Sequence, residues 1–220
     1  MNGVLQLDAQ GSTDAVRMGP LSPLKIGRTL IYTSNKEEDN FIVYFLIDSN
    51  QAQEQKAGSY RGKIKYEVET SQGNRDFSID IRCDIPPVFL MNVTTPLGGV
   101  NFTRVLSNSP PQLKEVVVTV HSNLHKPYQV TQDFETSMTN SQGKEFDNKY
   151  FNVQVEIPSG QNGQTDFVEF SPVKTGEYPI FSSDSQGSGA TINVVYRLQG
   201  YTQMSSGEFL APIRLSLNQK

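Results

Sequence analysis

Two stretches of this chain are near-copies of each other, and the repeat sets the terms for any fold. Leu21-Ser22-Pro23-Leu24-Lys25-Ile26-Gly27 returns 149 positions later as Phe170-Ser171-Pro172-Val173-Lys174-Thr175-Gly176. The same offset carries Ile31-Tyr32 onto Ile180-Phe181, Ala57-Gly58-Ser59-Tyr60 onto Ser206-Gly207-Glu208-Phe209, and Ile64 onto Ile213. Between these blocks the register slips, so that Val43-Tyr44 faces Val195-Tyr196, and backwards Val4 lands on Val153. Self-similarity at a fixed spacing means tandem copies of one folding unit. Residues from about Cys83 to Tyr150 have no counterpart at the front of the first copy. The expected organisation is therefore a partial unit over residues 1–82 followed by a complete one over 83–220, with Met1 read as a cut within a longer unit.

The strand pattern is pervasive. In Arg61 to Glu69 the apolar Ile64, Tyr66 and Val68 alternate with charged residues, the period of a half-buried strand. Phe77, Ile79 and Ile81 alternate with Ser78, Asp80 and Arg82, Val116, Val118 and Val120 share one face, and Phe151, Val153, Val155 and Ile157 share another. Ile213, Leu215 and Leu217 close the chain in the same way. Phe41-Ile42-Val43-Tyr44-Phe45-Leu46-Ile47 is apolar on both sides, which predicts a strand inside a two-layer structure. Clusters of Gly, Ser, Asn and Gln separate these runs. The best helical candidate, Asn50 to Ala57, is polar and has no apolar stripe. These features predict an all-β chain of tandem immunoglobulin-like β-sandwiches, the first incomplete at its N-terminal side.

Six residues are singled out as structural. Gly58 with Tyr60, and Gly207 with Phe209, mark a repeated strand entry in which glycine frees the backbone and the aromatic packs back on the core. Pro86-Pro87 predicts a hinge, because proline removes an amide donor and restricts the residue before it.

Composition narrows function. The net charge of −4 comes from interspersed acids and bases, giving no electrostatic case for nucleic acid or an anionic membrane. No apolar run has the roughly 20 residues of a membrane helix, and Met1 is not followed by a signal-peptide pattern. The single cysteine, Cys83, cannot form an internal disulfide and reads as a small apolar strand residue. His121 and His125 stand four apart at a strand end with no third ligand nearby, and read as turn histidines rather than a metal pair. Gly187-Ser188-Gly189 lacks the lysine and the strand–helix context of a phosphate loop. Glu37-Glu38-Asp39 and Asp184 lie in polar loops and read as solvated charge before they read as a Ca²⁺ site. Asn92-Val93-Thr94 and Asn101-Phe102-Thr103 fit the N-glycosylation pattern, which has meaning only in a eukaryotic source. Tyr128, Tyr178 and Tyr201 could stack on a sugar, although aromatics in β proteins are mostly core. No catalytic, cofactor or metal residue is assigned.

The complete copy resembles the spore coat protein U family, whose members include subunits of archaic chaperone–usher pili. The likeness rests on the strand at Cys83, on Val100-Asn101-Phe102-Thr103, and on Val116 to Val120 leading into His121-Ser122-Asn123. It continues through Pro127-Tyr128-Gln129-Val130 and through Val195-Tyr196-Arg197-Leu198-Gln199 before Ser206-Gly207-Glu208-Phe209. In that family a cysteine usually stands where His121 is and pairs with the one matched by Cys83; this chain lacks the second. The resemblance implies an exported, non-enzymatic subunit of a surface fibre or coat, with protein partners such as further copies of itself and no cofactor. The other reading kept open is a carbohydrate- or ligand-binding sandwich on a cell-surface protein. The missing front half predicts an unpaired strand edge beside an apolar groove. A strand from another subunit, strands of the second copy, or a simple truncation would each account for it.

Overall fold

The computed structural model describes residues 5–11, 16–34, 36, 39–97 and 99–220. The chain is all-β apart from two short helical turns, and it divides into compact units between Pro86 and Pro87.

In the first unit β1 (Leu5–Gln10) lies between β2 (Ser22–Pro23) and β3 (Ile42–Ile47). Alternation turns Leu7 and Ala9 inward, where both are buried. One helical turn, α1 (Ser49–Gln53), follows β3 in the polar stretch with no apolar stripe. Next comes a long hairpin of β4 (Gly58–Thr70) and β5 (Gly73–Ile85), paired from Gly58↔Ile85 to Thr70↔Gly73. Tyr60, Ile64, Tyr66 and Val68 share a face with Phe77, Ile79, Ile81 and Cys83. The other face is charged, with Lys63 at 3.4 Å from Asp80. Ser59 and Arg82 both donate to Asp84 and hold its carboxyl below the usual carboxylate range.

This hairpin corrects the sequence reading at Cys83. That residue sits near the end of β5, opposite Tyr60, and is not the first residue of a strand in the second unit. The reason is the turn at Ser71 and Gln72. It brings Phe77, Ile79 and Ile81 opposite Tyr66, Ile64 and Gly62, so a strand that begins at Gly73 runs unbroken to Ile85. The second unit begins at Pro87.

The second unit is a two-layer sandwich. One sheet has five strands in the order β10-β9-β12-β7-β6: β6 (Phe89–Thr94), β7 (Gln112–Ser122), β9 (Phe151–Glu156), β10 (Ser171–Pro172) and β12 (Ala190–Leu198). The other has three, β11-β8-β13: β8 (Tyr128–Phe134), β11 (Gly176–Ser182) and β13 (Ile213–Gln219). A single 3₁₀ turn at Asn148–Tyr150 leads into β9, its start capped by the Asp147 carboxylate. Val116, Val118, Val120, Val153, Val155, Ile192, Val194 and Tyr196 face inward from the larger sheet. They meet Val130, Phe134, Ile180 and Phe181 from the smaller one. The stretch Val100 to Thr103 is a loop rather than a strand, and its Phe102 ring sits edge-on against Phe151 at 6.1 Å.

The repeat is visible in the strand pairing. Leu7 lies opposite Ser22 and Phe45, as Val153 lies opposite Ser171 and Tyr196. The Leu24 amide donates to the Leu5 carbonyl at 2.9 Å, and the Val173 amide donates to that of Phe151 at 2.9 Å. The arrangement β2-β1-β3 is therefore the arrangement β10-β9-β12 built a second time. The pairing also refines the alignment: Phe45, not Tyr44, is the mate of Tyr196, and Leu7 is the mate of Val153. Val4 lies outside the described residues.

Candidate functional site

The two copies differ most at one strand. In the second unit β12 is central, with β9 on one side and β7 on the other. Its inward Val194 and Tyr196 are 0% and 1% exposed. In the first unit β3 has the same neighbour, β1, on one side, and among the described residues nothing pairs with the other side. Its inward Val43 and Phe45 are consequently only half-buried. Its outward Ile42, Tyr44 and Leu46 are 56%, 43% and 41% exposed. The sequence pattern predicts an interior strand, and the structure places it at an edge. Among the described residues no strand equivalent to β7 stands beside it.

An edge strand presents a row of backbone N–H and C=O groups, and proteins usually blunt such rows with charge, proline or bulges. Phe41 to Ile47 contains no charged residue and no proline, and its pairing with β1 runs without a bulge. Chemically this edge can accept and donate main-chain hydrogen bonds to one extended peptide. Close beside them it offers an apolar surface.

The structural candidates fall as follows. Gly58 opens β4 at φ +148° and Gly207 stands at φ +128°, a conformation L side chains rarely adopt. A Cβ on Gly58 would meet nothing within 4 Å, so there the glycine serves backbone conformation rather than close approach. Tyr60 donates its hydroxyl to the Lys56 carbonyl at 2.6 Å. Phe209 packs at the margin of the second unit's core, 5.7 Å from the Phe146 ring. Pro86 and Pro87 flank the division between units.

The rings considered for sugar stacking are turned to internal work. Tyr128 is fully buried, and its hydroxyl donates to the Ser188 carbonyl at 2.8 Å. Tyr178 packs on Phe167 and accepts from Gln132. Tyr201 stacks on Tyr150 at 4.5 Å and meets Phe146 edge-on, while Lys149 covers Tyr150. His121 is exposed on β7 opposite Leu90, and His125 lies in a turn at φ +52°. No cluster of three His, Cys, Asp or Glu residues suited to a metal occurs among the described residues. Asp184 closes its own loop. Burial works to raise its pKa, but hydrogen bonds from Ser188, Gln186 and Gly187 outweigh that and leave it lowered. Asp39 is engaged by the Tyr32 hydroxyl at 2.6 Å, and Glu37 and Glu38 lie outside the described residues. Asn92 and Asn101 are exposed, and Cys83 is a half-buried free thiol.

Sequence reasoning missed one feature of the core. Gln132 is 0% exposed, with its carbonyl oxygen accepting from Tyr196 at 2.6 Å and its amide donating to Tyr178 at 2.6 Å. The signal was available: Gln132 shares its strand parity with Val130 and Phe134, both core residues.

Compared with known protein families, curated proteins and solved structures, the chain matches none.

Proposed function

We propose that this is a non-catalytic, exported β-sandwich protein, a subunit or tandem module of a bacterial surface fibre or coat that assembles through strand edges. The observation that carries the reading is the apolar, unblunted edge of β3, set against the sealed equivalent strand β12. An apolar edge of this kind pairs readily with another strand, which is the contact that assembly through strand edges uses. The sequence resemblance to the spore coat U and archaic pilin group points the same way. On this reading the two units are immunoglobulin-like copies, the partners are further copies or neighbouring fibre subunits, and no cofactor is required.

Size-exclusion chromatography with light scattering tests it over a hundredfold range of concentration. Growth of oligomers with concentration, suppressed by Tyr44→Lys on β3, is the expected result. A monomer at every concentration, unchanged by that substitution and inert toward added strands, would sink the reading.

A further inference from the structure

We propose that Asn162-Gly163, in the loop between β9 and β10, is a self-modification site: the asparagine converts without an enzyme to aspartate and isoaspartate, and the isoaspartyl form releases the loop from β11 and β12. The inference does not rest on the assembly reading, and no strand edge enters it.

The reaction is attack by the backbone nitrogen of the following residue on the carboxamide carbon of asparagine, one of the thermolabile side chains. Among the described residues Asn162 is the one asparagine followed by glycine, so no side chain shields the attacking nitrogen. Both residues are exposed and lie outside any strand. Neither the Asn162 carboxamide nor the Gly163 amide has a hydrogen-bond partner among the described residues, whereas an amide in a sheet ladder is held by its acceptor. Competing asparagines are worse placed. Asn123, Asn140 and Asn152 are buried, and Asn92, Asn193 and Asn218 lie in strands.

The atoms balance with water alone. The Gly163 nitrogen gives its proton to solvent base and bonds to Asn162 Cγ. The Cγ–Nδ2 bond breaks, and Nδ2 takes a proton and leaves as ammonia, closing a cyclic succinimide. Water then opens the ring at one of its two carbonyls. Opening at Cγ leaves aspartate in an ordinary chain. Opening at the Asn162 carbonyl carbon routes the main chain through Cγ and leaves the α-carboxylate as a side group, which is isoaspartate.

The structural consequence follows because this span is pinned at both ends. The Gln161 side-chain oxygen accepts the Thr191 amide of β12 at 2.9 Å. Gln164 donates to the Ser182 carbonyl of β11 at 2.8 Å and accepts from the Ser182 amide at 2.9 Å. Between the pins Gly163 stands at φ +133°, so close to Phe181 that a Cβ would lie 2.3 Å from its ring. Isoaspartate adds one main-chain carbon to the pinned span, and the chain has no room to move inward. The added length goes outward, the pins part, and Phe181, only 1% exposed, loses cover.

The test ages the full chain in warm, mildly alkaline buffer. Peptide mapping by mass spectrometry follows the exchange of NH₂ for OH at each asparagine, and an isoaspartate-specific methyltransferase marks the isoaspartyl product. Hydrogen exchange reads the Ser182 and Thr191 amides. Conversion at Asn162 should run at least tenfold faster than at any other described asparagine, with at least tenfold faster exchange at Ser182 and Thr191 in the isoaspartyl fraction. Asn162→Gln keeps an exposed carboxamide on a longer arm and should age with neither change. If Asn162 stays intact while a synthetic peptide of Ile157 to Val168 converts under the same conditions, the fold blocks the reaction and the proposed site falls. If Asn162 becomes isoaspartate and Ser182 and Thr191 exchange as before, the proposed release falls. Equal loosening of aged Asn162→Gln protein would trace the effect to another lesion and overturn the proposal.

Discussion

Gln132 offers the sharpest test of how the second unit is held together. It lies on β8 with no exposure, bridging the Tyr196 hydroxyl on β12 and the Tyr178 hydroxyl on β11. The two sheets are thus linked by hydrogen bonds between their buried faces. In Gln132→Leu the Tyr196 hydroxyl, on a residue only 1% exposed, loses its acceptor. A buried polar group left unpaired costs about 1–3 kcal/mol. Tyr178 is only half-buried and can turn to water, so its lost bond adds no more than about 1 kcal/mol. Leucine returns part of this through its apolar surface, at about 25 cal/mol per Å². The net expectation is destabilisation of about 2 kcal/mol. Tyr196→Phe strands the Gln132 carbonyl instead and costs about 1–2 kcal/mol. The double variant removes both polar partners, so its cost should fall short of the sum by about 1 kcal/mol or more. The chain has no tryptophan, so urea unfolding is followed by far-UV circular dichroism, and only one transition should move if the units unfold separately. A neutral Gln132→Leu, or a double variant equal to the sum of the singles, would refute the reasoning.

Three further outcomes are expected from the same structure. Tyr196→Ala should cost about 3–5 kcal/mol as a large-to-small core change, whereas Phe45→Ala, at the equivalent but only half-buried position, should cost about half as much; urea titrations of the two variants check both. Gly187→Ala should destabilise by about 2 kcal/mol or more, because φ is +62° and the new Cβ would stand 1.9 Å from the Lys126 carbonyl oxygen, and a thermal melt reads this directly. Burial first, and the Asp184 charge second, push the Tyr128 phenol up to about 12. An unfolded tyrosine ionises near 10, so the folded state holds a proton that the unfolded state releases. Stability present below pH 10 is therefore lost as the pH rises from about 10 to 12, and Tyr128→Phe should reduce that loss in urea titrations across the range.

Much of the strand content was legible because period 2 is a local property. Val116, Val118 and Val120, and Phe151, Val153 and Val155, are buried in the parity their sequence shows. The matching Ser-Pro pairs were legible too: Ser22-Pro23 and Ser171-Pro172 each form a two-residue strand antiparallel to its neighbour. Partnership was harder to read. Nothing in the alternation of Phe77, Ile79 and Ile81 says whether that strand pairs with its N-terminal or its C-terminal neighbour. The two-residue turn decides for β4 and carries Cys83 into the first unit. Gln132 was passed over because a glutamine within Tyr128-Gln129-Val130-Thr131-Gln132 reads as an outward residue until its parity is counted.

The candidate site shows why such limits arise. Phe41 to Ile47 and Ala190 to Leu198 are both written for a strand with a neighbour on each side, and sequence alone assigns them the same place. An apolar pattern records how much cover a strand requires; it carries no record of which segment supplies it. In the second unit β7 is present and β12 is sealed. In the first, the same requirement stands beside an edge that no described strand pairs with, and the inward Val43 and Phe45 are only half-buried. The same pattern thus stands in two settings, one in which the covering strand is visible and one in which no described strand supplies it.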